Sequence, residues 1–411
     1  MLTTSLITEL ASAGSDKIAW ARRGMPVLQS IERRLVEAGT VRGKRIGVAL
    51  VLEPKTANLA LVLKHAGAHV SVFCQGASTK DEVVHALRAQ GIEVFAEAGA
   101  SAARDMELAR LFLGTKPQIL LDDGASIIRL AHREFPDLVA TMLGAAEETT
   151  SGVRPLRAMH EDGALRIPVI AVNDSRVKYL FDNVYGTGQS CVMAFLDVTN
   201  LQLAGRDVLV IGYGWVGRGV AAHANAMGAR VTVAELDPIK ALQALHDGHS
   251  VDSVERAAPT TEVVFASTGI AGVVTSAHVL AMRDGAILCT AGGGDFELPM
   301  DYLRSLDASI EVRQHVREYT LPGGARIRVI ADGDCINCAA GEGNPIEVMD
   351  LSLSLQAIAA EQLALEADRM APGLYPISIE AERQVALERL RHEGATLEPM
   401  TDVLAAAIRS W

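Results

Sequence analysis

The stretch from Arg206 to Asp237, RDVLVIGYGWVGRGVAAHANAMGARVTVAELD, constrains this chain more than any other. Asp207 to Ile211 is a short, mostly aliphatic run, suited to a strand buried on both faces. The glycines of Gly212-Tyr213-Gly214-Trp215-Val216-Gly217 follow at once. Gly212 would make the tight turn, Gly214 would let a pyrophosphate approach the backbone, and Gly217 would let the next helix pack on the strand. That helix is expected from Val216 to Met227, ending near Gly228, and a second strand from Arg230 to Ala234 ends at Glu235. An acid at this distance can accept both ribose hydroxyls of the adenosine half of NAD and repels a 2′-phosphate. The spacing predicts a βαβ unit that binds NAD.

With 411 residues, 49% of them hydrophobic, the chain is too long for one core and suits two α/β domains. A net charge of −12 argues against nucleic acid and anionic membranes as partners. The N-terminal run MLTTSLITELASAGSDKIAWARR contains acids and reads as neither a signal peptide nor a membrane span. The five cysteines are odd in number and scattered, which predicts reduced thiols in the cytoplasm. Cys335-Ile-Asn-Cys338 has redox or metal spacing but lacks a second ligand pair, and no metal site is expected.

The first forty residues read as helical, broken at Pro26. From Arg45 a β/α alternation begins, with strands expected at 45–52, 69–74, 92–96, 117–121 and 168–172, which predicts a parallel sheet. It carries no phosphate-cradling glycines, so it should hold the substrate beyond the carboxyl ends of its strands. Candidate site residues are therefore 51–55, Asp122-Asp123, Glu147-Glu148-Thr149-Thr150 and 178–183. Residues 184–205 read as a linking helix. Later strands are expected at 262–267 and 286–290, and a long helix from Glu347 to about Glu366.

Several stretches, in this order, resemble S-adenosylhomocysteine hydrolases: DDGASIIRL from Asp122, GAAEETTSGV from Gly144, PVIAVNDSRVKYLFDNVYGTGQS from Pro168, the GYGWVGRG loop, AELDPIKALQA, STGI, ADGDCIN and GNPIEVM. EETT and KxxxDN are specific to that family; the glycine loop is not. The resemblance covers nearly the whole chain. It implies two Rossmann-like, doubly wound parallel-sheet domains: a substrate-binding and catalytic domain over 1–186, completed by helices in 346–411, and an NAD-binding domain over 187–345. It also implies a homo-oligomer, dimer or tetramer.

The family's chemistry begins with oxidation of a ribose 3′-hydroxyl at the expense of bound NAD⁺. The 4′-proton becomes acidic, a base removes it, the 5′-substituent leaves, water adds, and the ketone is reduced again. By resemblance the catalytic residues are Asp123, Lys178 and Asp182, and the substrate contacts are Glu53, Lys55, Glu148, Thr149 and Asn344. Lys178 would have to be shifted toward neutrality by burial to accept a proton. The cofactor contacts would be Thr149, Thr150, Ser151, Asn183, Gly212, Gly214, Trp215, Val216, Gly217, Glu235, Lys240, Thr268, Gly292 and Asn337. Asp123 would alternatively cap the following helix, and His132 reads as a structural helix residue.

The departures from the pattern fall on the nucleoside. A histidine, a threonine and a glutamate of the family align with Val51, Glu53 and Lys55; two further histidines align with Gly293 and Asn344, and a cysteine with Thr187. The C-terminal Lys/Tyr tail has no counterpart. An ammonium at Lys55 in place of a carboxylate suits an oxo group better than an adenine amino group, unless Glu53 pairs with it. The expectation is a nucleoside-processing enzyme with intact redox machinery and a substrate other than S-adenosylhomocysteine. A nucleoside eliminase that retains the alkene and a silent NAD-binding regulator are the alternatives.

Overall fold

The computed structural model describes residues 3–306 and 308–410. The first two residues of the N-terminal reading and Trp411 lie outside them. Fifteen strands occur among the described residues. In chain order they are β1 (Arg45–Ala49), β2 (His69–Phe73), β3 (Glu93–Phe95), β4 (Ile119–Asp122), β5 (Gly144–Glu147), β6 (Pro168–Ala171), β7 (Asp207–Ile211), β8 (Arg230–Ala234), β9 (Ser250–Val251), β10 (Val263–Ala266), β11 (Ala286–Thr290), β12 (Ser309–Arg313), β13 (Val316–Thr320), β14 (Arg326–Ile330) and β15 (Gly373–Pro376).

They form two sheets. The first, in the order β15-β6-β5-β4-β1-β2-β3, is parallel throughout. The second runs β12-β13-β14-β11-β10-β7-β8-β9, parallel except for its antiparallel β12–β13–β14 end. In each sheet the strand order reverses beside the first strand of its own β/α series, between β1 and β4 and between β7 and β10. A crevice opens at such a reversal, because successive helices leave to opposite faces. Val48, Leu120, Leu121, Val208, Leu209 and Val210 are buried on both sides, as helices on both faces demand.

The long C-terminal helix is Ile346–Glu366, and its stretch Asp350–Glu361 is buried all round. It packs on the first sheet, whose core includes Leu351, Leu355 and Ile358. Asp350, fully buried, accepts the N–H groups of Val27 (3.1 Å) and Leu28 (2.9 Å) and pairs with Arg389 at 3.3 Å. One carboxylate thus supplies the orphan donors at the start of the helix Pro26–Ala38 and fastens that helix to residues more than three hundred positions away.

Where residues 184–205 read as one linking helix, the chain has nine residues of π-helix, Tyr179–Thr187, followed by the α-helix Gly188–Thr199. The helix Trp215–Ala226 crosses this segment at glycines. A Cβ on Gly219 would sit 2.0 Å from the Val184 carbonyl oxygen, and one on Gly188 would sit 2.5 Å from the Gly219 backbone. Tyr179 stacks on Trp215 at 4.7 Å between centroids, and the Arg218 guanidinium lies over the Trp215 ring. No helix among the described residues is long and apolar enough to cross a membrane.

Candidate active site

The reversal point of the first sheet opens into a cavity of about 290 Å³. Its wall is made by the loop after β1, the loop after β4, the π-helical segment and, across the gap, residues of the second sheet. The π-helix explains how one short segment delivers several functional groups. Its wider turn brings residues four and five apart onto one side. Lys178, Asp182 and Asn183 accordingly converge: the Lys178 Nζ donates to Asn183 Oδ1 at 2.9 Å and lies 3.5 Å from Asp182 Oδ2. Glu148 Oε1 is 4.0 Å from the same ammonium.

The carboxylates are held from outside the cluster. Ser352 Oγ donates to Asp182 Oδ2 at 2.8 Å, and Gln356 Nε2 donates to Glu148 Oε2 at 2.6 Å. Asn344 Nδ2 donates to Asp182 Oδ1 at 2.8 Å and to Thr187 Oγ1 at 3.1 Å, while its Oδ1 accepts from Ser190 Oγ and Asn337 Nδ2, both at 2.9 Å. The amide at this position therefore ties the π-helix, the linking helix and the loop after β14 together. Glu148 Oε1 is buried with no hydrogen-bond partner of its own, which leaves it available to a ligand hydroxyl.

Asp123 lines the cavity, and the capping role falls to its neighbour. Asp122 Oδ2 accepts from the N–H groups of Ile127 (3.0 Å) and Ile128 (2.8 Å). Glu147, also fully buried, accepts from Gly124, Ala125 and Thr149 N–H. Two inward carboxylates thus fix the loop that presents Asp123. Burial raises the Asp123 carboxyl to about 6, against the attraction of Lys178. Burial likewise raises Glu148 to about 8, Lys178 opposing and Asp182 adding to the shift.

For Lys178 the condition of a shift toward neutrality is not met. Burial pushes its pKa down, but Asp182, Glu148 and Asp123 outweigh it, and the proton is held more firmly than in water. At neutral pH these shifts favour a protonated Lys178 and Glu148 beside an ionised Asp123. Were Asp123 to remove a proton, it would need its carboxylate, which is lost as pH falls through about 6. The kcat/KM profile should have an acid limb near pH 6, and Asp123→Asn should remove that limb and cost about 10²–10⁴-fold. An unchanged acid limb in the variant would show that another group titrates there.

Glu53, Thr149, Ser151, Val216, Gly292 and Asn337 also line the cavity. Lys55 stands behind Glu53: its Nζ lies 2.7 Å from Glu53 Oε2 and donates to the Glu342 carbonyl at 2.7 Å. The pairing that would temper the effect of Lys55 is therefore present. Gly293 lines the cavity, and a Cβ there would meet Phe296 Cζ at 3.0 Å, so the ring stands close to this part of the wall. Thr150 lies outside the cavity wall, its hydroxyl donating to Asn173 Oδ1 at 3.0 Å. His132 is structural as expected, with Nδ1 at 2.8 Å from the Ile128 carbonyl.

The second sheet supplies a cradle at its own reversal point. Gly212 has φ +92, and a Cβ on Gly217 would fall 1.9 Å from the Gly212 oxygen, so neither admits a side chain. A Cβ on Gly214 would meet nothing, which leaves that face of the loop open to a phosphate. Glu235 accepts N–H groups from Tyr213 (2.7 Å), Leu236 (2.7 Å) and Asp237 (3.0 Å), which fixes its carboxylate beside the glycine loop. Lys240 does not neutralise it, lying 3.9 Å from Asp237 instead. Thr268 is braced by the buried Glu297 through its N–H and hydroxyl, both at 2.8 Å. These residues fit a dinucleotide whose nicotinamide end would reach Val216, Asn183 and Asn337 on the cavity wall. Ser352, Gln356, Ser190 and Glu297 were not singled out from the sequence: Ser352, Gln356 and Glu297 lie outside the motifs and act by folding back, and Ser190 ends the stretch that begins at Pro168.

The comparisons agree with this geometry. Residues 183–343 match the family model described as S-adenosyl-L-homocysteine hydrolase, NAD binding domain, and residues 7–134 match the S-adenosyl-L-homocysteine hydrolase model. The chain is 44% identical to an S-inosyl-L-homocysteine hydrolase of Methanopyrus kandleri, over 98% of this chain and 96% of that one. It is 44% identical to an adenosylhomocysteinase of Pyrococcus abyssi over the same shares. An S-inosyl-L-homocysteine hydrolase of Methanocaldococcus jannaschii is 41% identical, over 97% of this chain and 96% of its own.

Proposed function

The chain belongs to the S-adenosyl-L-homocysteine hydrolase family, an NAD-binding hydrolase family, and on that premise we propose that its substrate is a 6-oxopurine nucleoside thioether, tested as S-inosyl-L-homocysteine. The observation that carries the choice of base is the Glu53–Lys55 pair. Two of the ammonium's three N–H groups are engaged, by Glu53 and by the Glu342 carbonyl, and the third would reach a ligand acceptor only by turning past Glu53, which lines the cavity. Hypoxanthine offers an oxo group as that acceptor and an adjacent ring N–H that the Glu53 carboxylate can receive. Burial raises Glu53, and the contact with Lys55 opposes the shift, so the two act as one donor–acceptor unit. Relatives named for the inosyl compound support the reading.

Bound NAD supplies a reversible two-electron oxidant at the 3′-carbon. The side chains do the rest. Lys178 donates to the 3′-oxygen, and for it to take up that hydroxyl's proton it must first pass its own to an adjacent carboxylate. Asp182, 3.5 Å away and held by Ser352 and Asn344, fixes the ammonium at that point. The unpartnered Oε1 of Glu148 receives or donates to the neighbouring ribose hydroxyl, according to its protonation. Asp123 takes the 4′-proton and hands it to the departing sulfur.

Wild-type kcat/KM should favour S-inosyl- over S-adenosyl-L-homocysteine by about tenfold or more, because the wrong base leaves buried polar groups unpaired. Lys55→Glu should reverse the order. Mass spectrometry should find the products with water added. A wild-type preference for the adenosyl compound, or a preference that Lys55→Glu does not move, would overturn the assignment of the base. A product that keeps the alkene would overturn hydrolysis.

A further inference from the structure

The cavity also carries groups that hydrolysis leaves idle. Cys335 and Cys338 both line it, and both are partly exposed. They share one helical turn: Cys335 caps the short helix Ile336–Ala339, and the Cys338 N–H donates to the Cys335 carbonyl at 3.1 Å. Residues three apart in such a turn have Cβ atoms about 5–6 Å apart. A disulfide needs about 3.8 Å, so a modest closure of the turn suffices. The Cys335 thiol also touches those of Cys338 and Cys191, the latter fully buried in the linking helix. Cys74 also lines the cavity but is fastened, its thiol donating to the Gln75 and Ser78 carbonyls at 3.4 and 3.3 Å.

Asn337 lies between the two cysteines and is buried. Cys335 Sγ donates to Asn337 Oδ1 at 3.0 Å, while Asn337 Nδ2 donates to Ser190 Oγ at 3.0 Å and Asn344 Oδ1 at 2.9 Å. The thiol is thus the outermost member of the chain of hydrogen bonds that ends at Asp182. Losing its hydrogen would leave a buried amide oxygen without its donor.

We propose that Cys335 and Cys338 form a reversible intramolecular disulfide, with a low-molecular-weight disulfide as oxidant, and that closing it loosens the Asn337–Asn344–Asp182 chain and slows turnover. Cys338, whose proton is not engaged by Asn337, loses that proton and attacks one sulfur of the small disulfide. The small S–S bond breaks, and one half leaves as a thiolate. Cys335 then loses its proton and attacks the Cys338 sulfur of the mixed disulfide, expelling the second half. Two protein thiols are oxidised by two electrons in all, and the small disulfide is reduced to two thiols. The crowded thiols and their burial hold both protons well above the usual range, so the exchange accelerates as pH rises.

The test treats the NAD-loaded enzyme with oxidised glutathione at about pH 8, near the ordinary thiol range. Remaining thiols are then alkylated and located by peptide mass spectrometry. The expected peptide holds Cys335 and Cys338 joined and two hydrogens lighter, with Cys191 still a thiol. Turnover should fall about tenfold, the loss expected when a buried hydrogen-bond partner is removed. Dithiothreitol should restore it. Cys338→Ala, or Cys338→Ser if that folds better, should keep its own untreated turnover through the same exposure. Full alkylation of both cysteines, a Cys191–Cys335 bond, a glutathione adduct that never resolves, or an equal loss in the Cys338 variant would each overturn the proposal.

Discussion

Lys178→Ala is expected to abolish the substrate-dependent appearance of bound NADH, with NAD binding retained. The Lys178 side chain is 4% exposed and, among the described residues, is the ammonium that faces Asp182, Glu148 and Asp123. On the role proposed for Lys178, removing such a proton-transfer group costs about 10²–10⁴-fold. The variant also leaves three carboxyl groups without their cation, and a buried like-charge cluster answers by holding protons. Asp123, at about 6 in the wild type, should then titrate at higher pH, and the acid limb of any residual activity should move up with it. Lys178→Met keeps the volume and separates charge from packing. Unchanged NADH formation in either variant would remove Lys178 from the oxidation step.

Gly219→Ala should be nearly as damaging, although this residue is not on the cavity wall. Its Cβ would sit 2.0 Å from the Val184 oxygen, and that contact is with backbone, so no rotamer change relieves it. Overpacking of this kind costs about 1–3 kcal/mol or more. For a domain of about 150–250 residues each kcal/mol lowers the melting temperature by about 2–4 °C. The strain would fall on Tyr179–Thr187, the segment that carries Asp182 and Asn183. Turnover should therefore drop further than the change in folded fraction explains, which calorimetry and kinetics at one temperature would reveal. A variant with wild-type stability and turnover would show that the two helices part without consequence.

Much of the fold was readable because the strands that matter most are aliphatic. Arg230–Ala234 and Ala286–Thr290 have the bounds their sequences imply. β5 was not read as a strand, because Gly-Ala-Ala-Glu has almost no β-propensity; it is a strand because β4 and β6 flank it and supply its partners. β15 was missed for a related reason, being four residues long at a sheet edge and ending in proline. β12 is exposed throughout, so no buried face marks it, and β13 buries only Val316 and Tyr319.

The candidate site shows the same division. Lys178 and Asp182 stand in a local motif, and a spacing of four already places them together. The π-helix that adds Asn183 to the same side is invisible in the sequence, because KYLFDNVYGT has ordinary helical composition. Ser352 and Gln356 come from a helix about 170 residues downstream of the π-helix, beyond any local pattern. The upward direction of the Lys178 shift is not legible in the sequence, because burial can be read from an apolar context, whereas the number of carboxylates gathered by the fold cannot.

The order of strands also bears on how the chain is made. The second sheet is contiguous in sequence, from Asp207 to Ile330, and has all its partners as soon as those residues have left the ribosome. The first sheet begins earlier but waits for the helix Ile346–Glu366 and for β15, and Asp350 must arrive before the helix Pro26–Ala38 gains its buried cap. During synthesis the earlier half therefore stays open on one apolar face while the later half is already folded, and chaperone dependence should concentrate on the part of the protein that is translated first.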